Sequence, residues 1–310
     1  MLFKTITFER VLYDWLDYKK QNIRESSYAK YLFCIKNYLV SNIGYINFKK
    51  LKSNDIEYLF NKNTIKKLSN STKNTILIII NSSIKYGVEK KFRKNLISIS
   101  IRFKKKKNEI TYFTIKEQEI LEEYINSNMN IRNLSILVSL YTGLRLGELC
   151  ALKGSDIDFI NNTISVNKTV QRIKNNDGNS KTKLVIDIPK TENSIRIIPV
   201  SEFIISLLNQ YIKDKDNFIF TGTNKPKDPR TLEKYFTNLL KKLNLKSLNY
   251  HSLRHSYSTR LREQKVDIKV ISELLGHSNW KTTQDIYVHA SIDSKIQSIN
   301  ELSDLISKGS

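Results

Sequence analysis

The chain has 310 residues, 40% of them hydrophobic, with 52 Lys and Arg against 30 Asp and Glu and a net charge of +22. That length suits two compact domains with real cores. No uncharged apolar run reaches the roughly 18 residues of a membrane span, and the opening MLFKTITFER lacks a long apolar stretch before a cleavage site, so a span and a secretory leader are excluded and a soluble cytoplasmic protein is expected.

The first elements read as helices. Thr7 caps FERVLYDWLDYKK, where Val11, Leu12, Trp15 and Tyr18 recur at helical spacing. Ser26 or Ser27 caps a second helix, YAKYLFCIKNYLV, which closes at Gly44. A third starts at Ser53 and a fourth spans about Thr72 to Tyr86, ended by Gly87. The result is a small all-helical bundle over residues 1–100 with the apolar stripe as its core. Cys34, and Cys150 later in the chain, sit in apolar helical patterns without ligand spacing and read as buried reduced thiols.

The stretch RFKKKKNE then breaks every periodicity, and we expect a basic linker over residues 101–110. Arg102, Lys104, Lys105, Lys106 and Lys107 there suit a phosphate backbone, although a solvated linker has the same composition. The wider charge distribution leaves the same two readings open. Residues 1–110 carry 24 Lys and Arg against 8 Asp and Glu, whereas the rest carries 28 against 22. Such an excess attracts a polyanion, or it reflects lysines that solvate a Lys- and Asn-rich surface.

A second domain, residues 111–310, opens with a capping box at Thr114 and Glu117 before a helix through Ile125. Another helix runs from about Ile131 into TGLRLGELCAL. Three strand-like segments follow, NTISVNKTVQRI, KLVIDIP and SIRIIPV, with the Asn-Asp-Gly-Asn cluster at 176–179 turning the first into the second. Helices return from Ser201 onward. The expected class is α+β: mainly α, with a small antiparallel sheet.

All four histidines, at 251, 255, 277 and 289, lie in the last sixth of the chain. His251 and Arg254 are three apart, so one helix face presents both to a single anion. His277 follows a break at Leu275-Gly276, where a tight turn lets it reach back to a shared site. Arg145 stands between two glycines with Glu148 at helical spacing to pin its guanidinium. Lys190, in Pro189-Lys190-Thr191, is either a proton donor aimed into a cleft or a solvated turn lysine. Two arginines, two histidines and a lysine make a phosphate cage with acid–base capacity. Tyr287 in TTQDIYVHA supplies the missing nucleophile. No carboxylate cluster suited to magnesium stands out: Glu148 supports Arg145, while Asp156, Asp158 and Asp187 read as surface residues.

The segments TGLRLGEL, PKTENSIRIIPV, HSLRHSYSTRL and LGHSNWKTTQDIYVH resemble, in this order, the signature boxes of the tyrosine recombinase (phage integrase) family. The resemblance extends to residues 7–90, which look like that family's helical core-DNA-binding (SAM-like) domain. It implies that Arg145 and Arg254 bind the scissile phosphate, that Lys190 is the general acid and that His251 and His277 assist. Tyr287 becomes the nucleophile of a 3′-phosphotyrosine link. Glu148, His255, Trp280 and His289 are implied as supporting residues, and Tyr257, on the helix of Arg254, as a poor nucleophile.

The resemblance further implies double-stranded DNA with short inverted-repeat core sites, a homotetramer that passes through a Holliday junction, accessory bending or directionality factors, and no metal or ATP cofactor. The helix from about Ser291 to Leu305 would reach a neighbouring subunit. The hairpin from Val170 to Pro189 resembles that of integrases of phages and conjugative elements, whereas the direct start on core-binding helices puts an arm-site domain in doubt. Alternatives with the same motifs are a Xer-like resolvase, an inversion recombinase, a type IB topoisomerase and a silent DNA-binding regulator.

Overall fold

The computed structural model describes residues 5–104, 111–175, 180–188 and 194–277. The chain divides into two compact units, one of Met1–Asn108 with Ile173–Lys183 and one of Glu109–Arg172 with Leu184–Ser310.

The first unit is helical. α1 spans Phe8–Lys20 and α2 Glu25–Cys34, which continues as a π-helical stretch Ile35–Gly44; α3 is Ser53–Asn61, α4 Asn63–Lys66 and α5 Asn70–Glu89. Thr7 caps α1, its Oγ1 accepting from the Arg10 amide at 3.4 Å. Two expected ends shift. α2 starts at Glu25, so Ser26 and Ser27 lie inside its first turn. α5 runs through Gly87 and stops at Glu89, because Gly87 serves packing and does not cap: a Cβ there would collide with the Phe48 ring. Phe48 in turn stacks on Phe8, with centroids 5.9 Å apart, and both are fully buried.

The segment expected to be a linker begins by docking on this unit. Phe103 packs on Phe60 at 4.9 Å, and the Asn70 and Asn74 side-chain amides donate to the carbonyls of Lys104 and Phe103 at 2.8 and 3.1 Å. Lys104 and Arg102 remain exposed. Lys105, Lys106 and Lys107 lie outside the described residues.

In the second unit, α6 spans Ile115–Ser127, α7 Ile131–Thr142, α8 Leu146–Cys150, α9 Glu202–Tyr211, α10 Pro229–Lys242, α11 His251–Glu263 and α12 Ile268–Leu275. The Thr114 capping box is present, Thr114 Oγ1 accepting from the Glu117 amide at 3.2 Å while Oε2 of Glu117 accepts from the Thr114 amide at 2.8 Å. β1 is Ile157–Asp158, β2 Thr163–Val166, β3 Thr169–Lys174, β4 Thr182–Asp187 and β5 Arg196–Pro199, of which residues 173–174 of β3 and 182–183 of β4 belong to the first unit. Among the described residues β1, β2 and β5 form one antiparallel sheet, and β3 and β4 a separate two-stranded one. The expected first strand is therefore two strands in different sheets.

The break falls at Asn167-Lys168, where Lys168 turns to Asp156 and donates to its two carboxylate oxygens at 2.6 and 2.5 Å. Asp156 is buried and also accepts from the Lys153 amide, which corrects its reading as a surface residue. Asp158 is half-buried and closes the Ile160-Asn161 turn, and Asp187 too is half-buried. Cys34 and Cys150 are buried free thiols as expected, and burial pushes Cys150 up to about 12.

α7 is buried along nearly its whole length and forms the axis of this unit. Its hydroxyls are satisfied within the core: Ser139 bonds the Tyr250 hydroxyl at 3.0 Å, and that hydroxyl donates to the Ser135 carbonyl at 3.1 Å. This fixes the amino-terminal end of α11 against α7, which is where the site begins.

Candidate active site

α7 does not continue into the Leu-Arg-Leu-Gly segment, as the sequence pattern suggested. It stops at Thr142, and Gly143 adopts the left-handed conformation at φ 63°. A Cβ there would stand 2.5 Å from Cδ1 of Tyr257, so glycine answers two demands at once. The chain re-enters a helix at α8 with Arg145 as N-cap, and the Glu148 carboxylate returns to the Arg145 amide at 3.0 Å. Arg145 thus emerges at a corner between two helices. Gly147 keeps the corner tight, because a Cβ there would meet Oγ1 of Thr169 at 2.5 Å.

Three guanidinium groups converge on the other side of this corner. Arg254, buried at 2% exposure, donates from Nη1 to the Gly143 carbonyl at 2.8 Å and from Nη2 to the Leu275 carbonyl at 2.6 Å. Arg145 donates from Nη1 to Glu148 at 2.7 Å and from Nη2 to the Gly276 carbonyl at 3.2 Å. Arg196, on β5, donates from Nε to the Leu274 carbonyl at 2.7 Å and from Nη2 to Glu148 at 3.0 Å. Three successive carbonyls at the carboxyl end of α12 therefore each take a different arginine. Such carbonyls lack helical partners and carry partial negative charge, which suits cations. Gly276, left-handed at φ 63°, then turns the chain, and the His277 amide donates to the Ser272 carbonyl at 3.0 Å.

The electrostatics follow from this crowding. Burial alone would raise the Glu148 carboxyl, but its hydrogen bond and charge pairing with Arg196, joined by Arg145, hold it below the usual carboxylate range. Burial and the neighbouring Arg145 charge press Arg254 down from its ordinary value, with Glu148 opposing. With its donors on two carbonyls, Arg254 stays a cation. His251 keeps an exposed outer edge, but burial of its inner side, then His255 and the charges of Arg254 and Arg145, lower it to about 4. Burial, Arg254 and Arg145, then His251 and Arg196, bring His277 to about 3. Both imidazoles are neutral at pH 7. His255 stacks edge-on against His251 with centroids 4.7 Å apart, and burial followed by Arg254 lowers its pKa as well.

The fold thus brings Arg145, Glu148, His251, Arg254 and His277 together, with His255 behind His251. Among the described residues three arginines gather around one buried carboxylate, which contacts two of them, so the cluster carries a net positive charge. Tyr257 is half-buried beside Gly143, and burial raises its phenol. Lys190, Trp280, Tyr287, His289 and the expected helix at 291–305 lie outside the described residues. Arg196 was missed in the sequence, although a signal existed. In Ile195-Arg196-Ile197-Ile198 the alternation puts the arginine on the face of fully buried Ile198, and an arginine on a core face needs a carboxylate partner.

Comparison with known proteins agrees with this architecture. Residues 111–293 match the phage integrase family and residues 7–64 the phage integrase N-terminal SAM-like domain. A XerC-like tyrosine recombinase of Caldanaerobacter subterraneus subsp. tengcongensis is 27% identical, covering 98% of this chain and 84% of its own. The integrase of Staphylococcus phage L54a is 28% identical over 92% of this chain and 89% of its own. A fragment of the Tn1549 transposon integrase, solved in complex with a circular intermediate DNA, has a TM-score of 0.77 at 22% identity, covering 96% of this chain and 99% of the fragment. The lambda integrase tetramer bound to a Holliday junction has a TM-score of 0.68 at 16% identity, over 92% and 78% of the two chains. The chain belongs to the phage integrase family, the tyrosine recombinases that break and rejoin DNA at specific sites.

Proposed function

We propose that this chain exchanges DNA strands at short inverted-repeat sites through a covalent bond between Tyr287 and the 3′ phosphate, in the manner of an integrase of a mobile element. Arg145 and Arg254 hold the non-bridging oxygens of the scissile phosphate and neutralise the charge that grows on them as the phenol oxygen attacks. His251, neutral at pH 7, is able to accept the phenol proton, and His277 assists from the turn after α12. The P–O5′ bond breaks, and Lys190 protonates the departing 5′ oxygen. The link keeps the energy of the phosphodiester, so the 5′ hydroxyl of a partner strand can attack it and expel the tyrosine. Two such exchanges pass through a Holliday junction, the first forming it and the second resolving it.

The observation that carries this reading is the cationic cluster itself: Arg145 and Arg254 held by backbone carbonyls and one buried carboxylate, beside two imidazoles that burial and the arginine charges keep neutral at pH 7. Preorganised donors of this kind cost little reorganisation when charge develops. Supporting the partners, the lambda integrase relative was captured as a tetramer on a Holliday junction and the Tn1549 integrase with circular intermediate DNA. The helical unit with Arg102 and the lysines at 104–107, in this reading, lies along the phosphate backbone, residues 1–100 serving as the core-binding domain and 111–310 as the catalytic domain. No helix of the described residues is long and apolar enough to cross a membrane, and we place the reaction in the cytoplasm.

A nicked substrate that loses the short 5′ product after cleavage traps the covalent complex. The wild-type chain is expected to form it, whereas Tyr287→Phe binds the same DNA without attachment. A covalent complex formed by the Phe variant would overturn the assignment of the nucleophile.

A further inference from the structure

We propose that Arg196 is a positioning residue for the cleavage reaction, acting on the phosphate through Glu148 and Arg145; this rests on the reading of Arg145 given above. Arg196 already commits four of its five N–H groups to the protein. Its side chain is 7% exposed, Nε is taken by the Leu274 carbonyl, Nη2 by Oε2 of Glu148 at 3.0 Å, and Nη1 by Oε1 of Glu148 and the Ser194 carbonyl at 3.3 and 3.2 Å. What it does is hold other groups still.

Glu148 is the only carboxylate among the described residues in contact with either guanidinium, and it serves both: Oε1 accepts from Arg145 Nη1 and Arg196 Nη1, and Oε2 from the Arg145 amide and Arg196 Nη2. A carboxylate bound by Arg145 alone could rotate with that flexible, 36% exposed side chain. Bound side-on by a fork anchored in β5, it becomes a fixed reference against which Arg145 is set. The Nε bond to Leu274 fastens the same fork to the end of α12, whose next two carbonyls hold Arg254 and Arg145. One side chain thus ties the strand, the carboxylate and the helix end that together aim the phosphate-binding arginine.

The chemistry of the fork distinguishes this role from simple charge. Lysine at this position keeps the cation but offers one point of attachment, and cannot span both Glu148 oxygens and the Leu274 carbonyl. The experiment compares full-length wild type, Arg196→Lys, Arg196→Met and Arg145→Ala on two nicked DNA substrates, one with an ordinary scissile phosphate and one with a methylphosphonate there. The methyl group removes the charge that Arg145 neutralises, so a defect transmitted through Arg145 should shrink on it. Arg196→Lys is expected to bind DNA with unchanged affinity and cleave the ordinary substrate at least about tenfold more slowly, as misplacement of a catalytic group does. On the methylphosphonate its rate should approach that of wild type, as should that of Arg145→Ala.

A variant that is only less folded loses the same fraction on both substrates. The Met variant leaves Glu148 unbalanced and tests the larger effect, and the Lys variant decides the case. Wild-type cleavage by Arg196→Lys, or a defect equal on both substrates while that of Arg145→Ala is relieved, would overturn the proposal. Normal cleavage by Arg145→Ala would instead overturn the reading beneath it.

Discussion

Glu148 and Arg196, 48 residues apart in the chain, meet as a bidentate ion pair buried on both sides, with side-chain exposures of 3% and 7%. Removing one partner from such a pair leaves a charge in the interior without its counter-ion. That is far more costly than losing a surface bridge.

Glu148→Ala is accordingly expected to destabilise the catalytic unit by roughly 3–5 kcal/mol. Urea unfolding followed by tryptophan-independent circular dichroism checks it. A midpoint within error of wild type would mean that the two arginines find other partners and that the carboxylate does not organise the site.

Stability should depend on pH through His251 and His277. In the unfolded chain each takes a proton near pH 6.5, but in the DNA-free folded protein only near 4 and 3, because burial comes first and the arginine charges add to it. Between those values the unfolded state binds more protons, so stability rises with pH across the window and falls on acidification from 6.5 towards 4. Melting temperatures measured from pH 7 to pH 4 should show this loss, and His251→Gln with His277→Gln should flatten it. An equally steep loss in the double variant would place its origin elsewhere.

Two glycines with nearly the same φ should respond differently to alanine. Gly143 and Gly222 have φ of 63° and 65°, yet a Cβ at Gly143 meets Tyr257 and Leu275 at 2.5 and 2.9 Å, whereas nothing lies within 4 Å at Gly222. Gly222→Ala should cost only the backbone term of about 1 kcal/mol. Gly143→Ala should add a packing cost of roughly 1–3 kcal/mol and shift the carbonyl that holds Arg254. Equal unfolding midpoints for the two variants would contradict the tight corner.

Arg145→Ala is expected to slow cleavage at least about a hundredfold, the usual loss for one preorganised charge contact at a reacting centre. Single-turnover cleavage of a nicked substrate measures this directly. Arg145→Lys should recover little, because an ammonium cannot hold both Glu148 and the Gly276 carbonyl while facing a phosphate. Near-normal rates for the alanine variant would remove Arg145 from the site.

How much of this was legible beforehand depends on the range of the interaction concerned. The Thr114 and Glu117 capping box, the Thr7 cap and the pairing of Arg145 with Glu148 are all settled within four residues, and each stands where the sequence put it. Gly87 did not, since whether a glycine ends a helix or admits a neighbouring ring depends on Phe48, 39 residues away in the chain. The single strand-like run at 162–173 likewise hid two strands, because its division depends on the buried Asp156 that draws Lys168 away.

By itself the sequence determined the helical leading unit, the basic excess of its first third and the gathering of Arg145, Glu148, His251, Arg254 and His277, because those follow from residue type, short spacing and the signature segments. The tertiary structure alone decided that Arg196 joins them, that α7 breaks before Arg145, and that three arginines share one helix end. A buried charge is tolerated only where distant segments bring it a partner. That balance is struck in space, between residues that no local pattern connects.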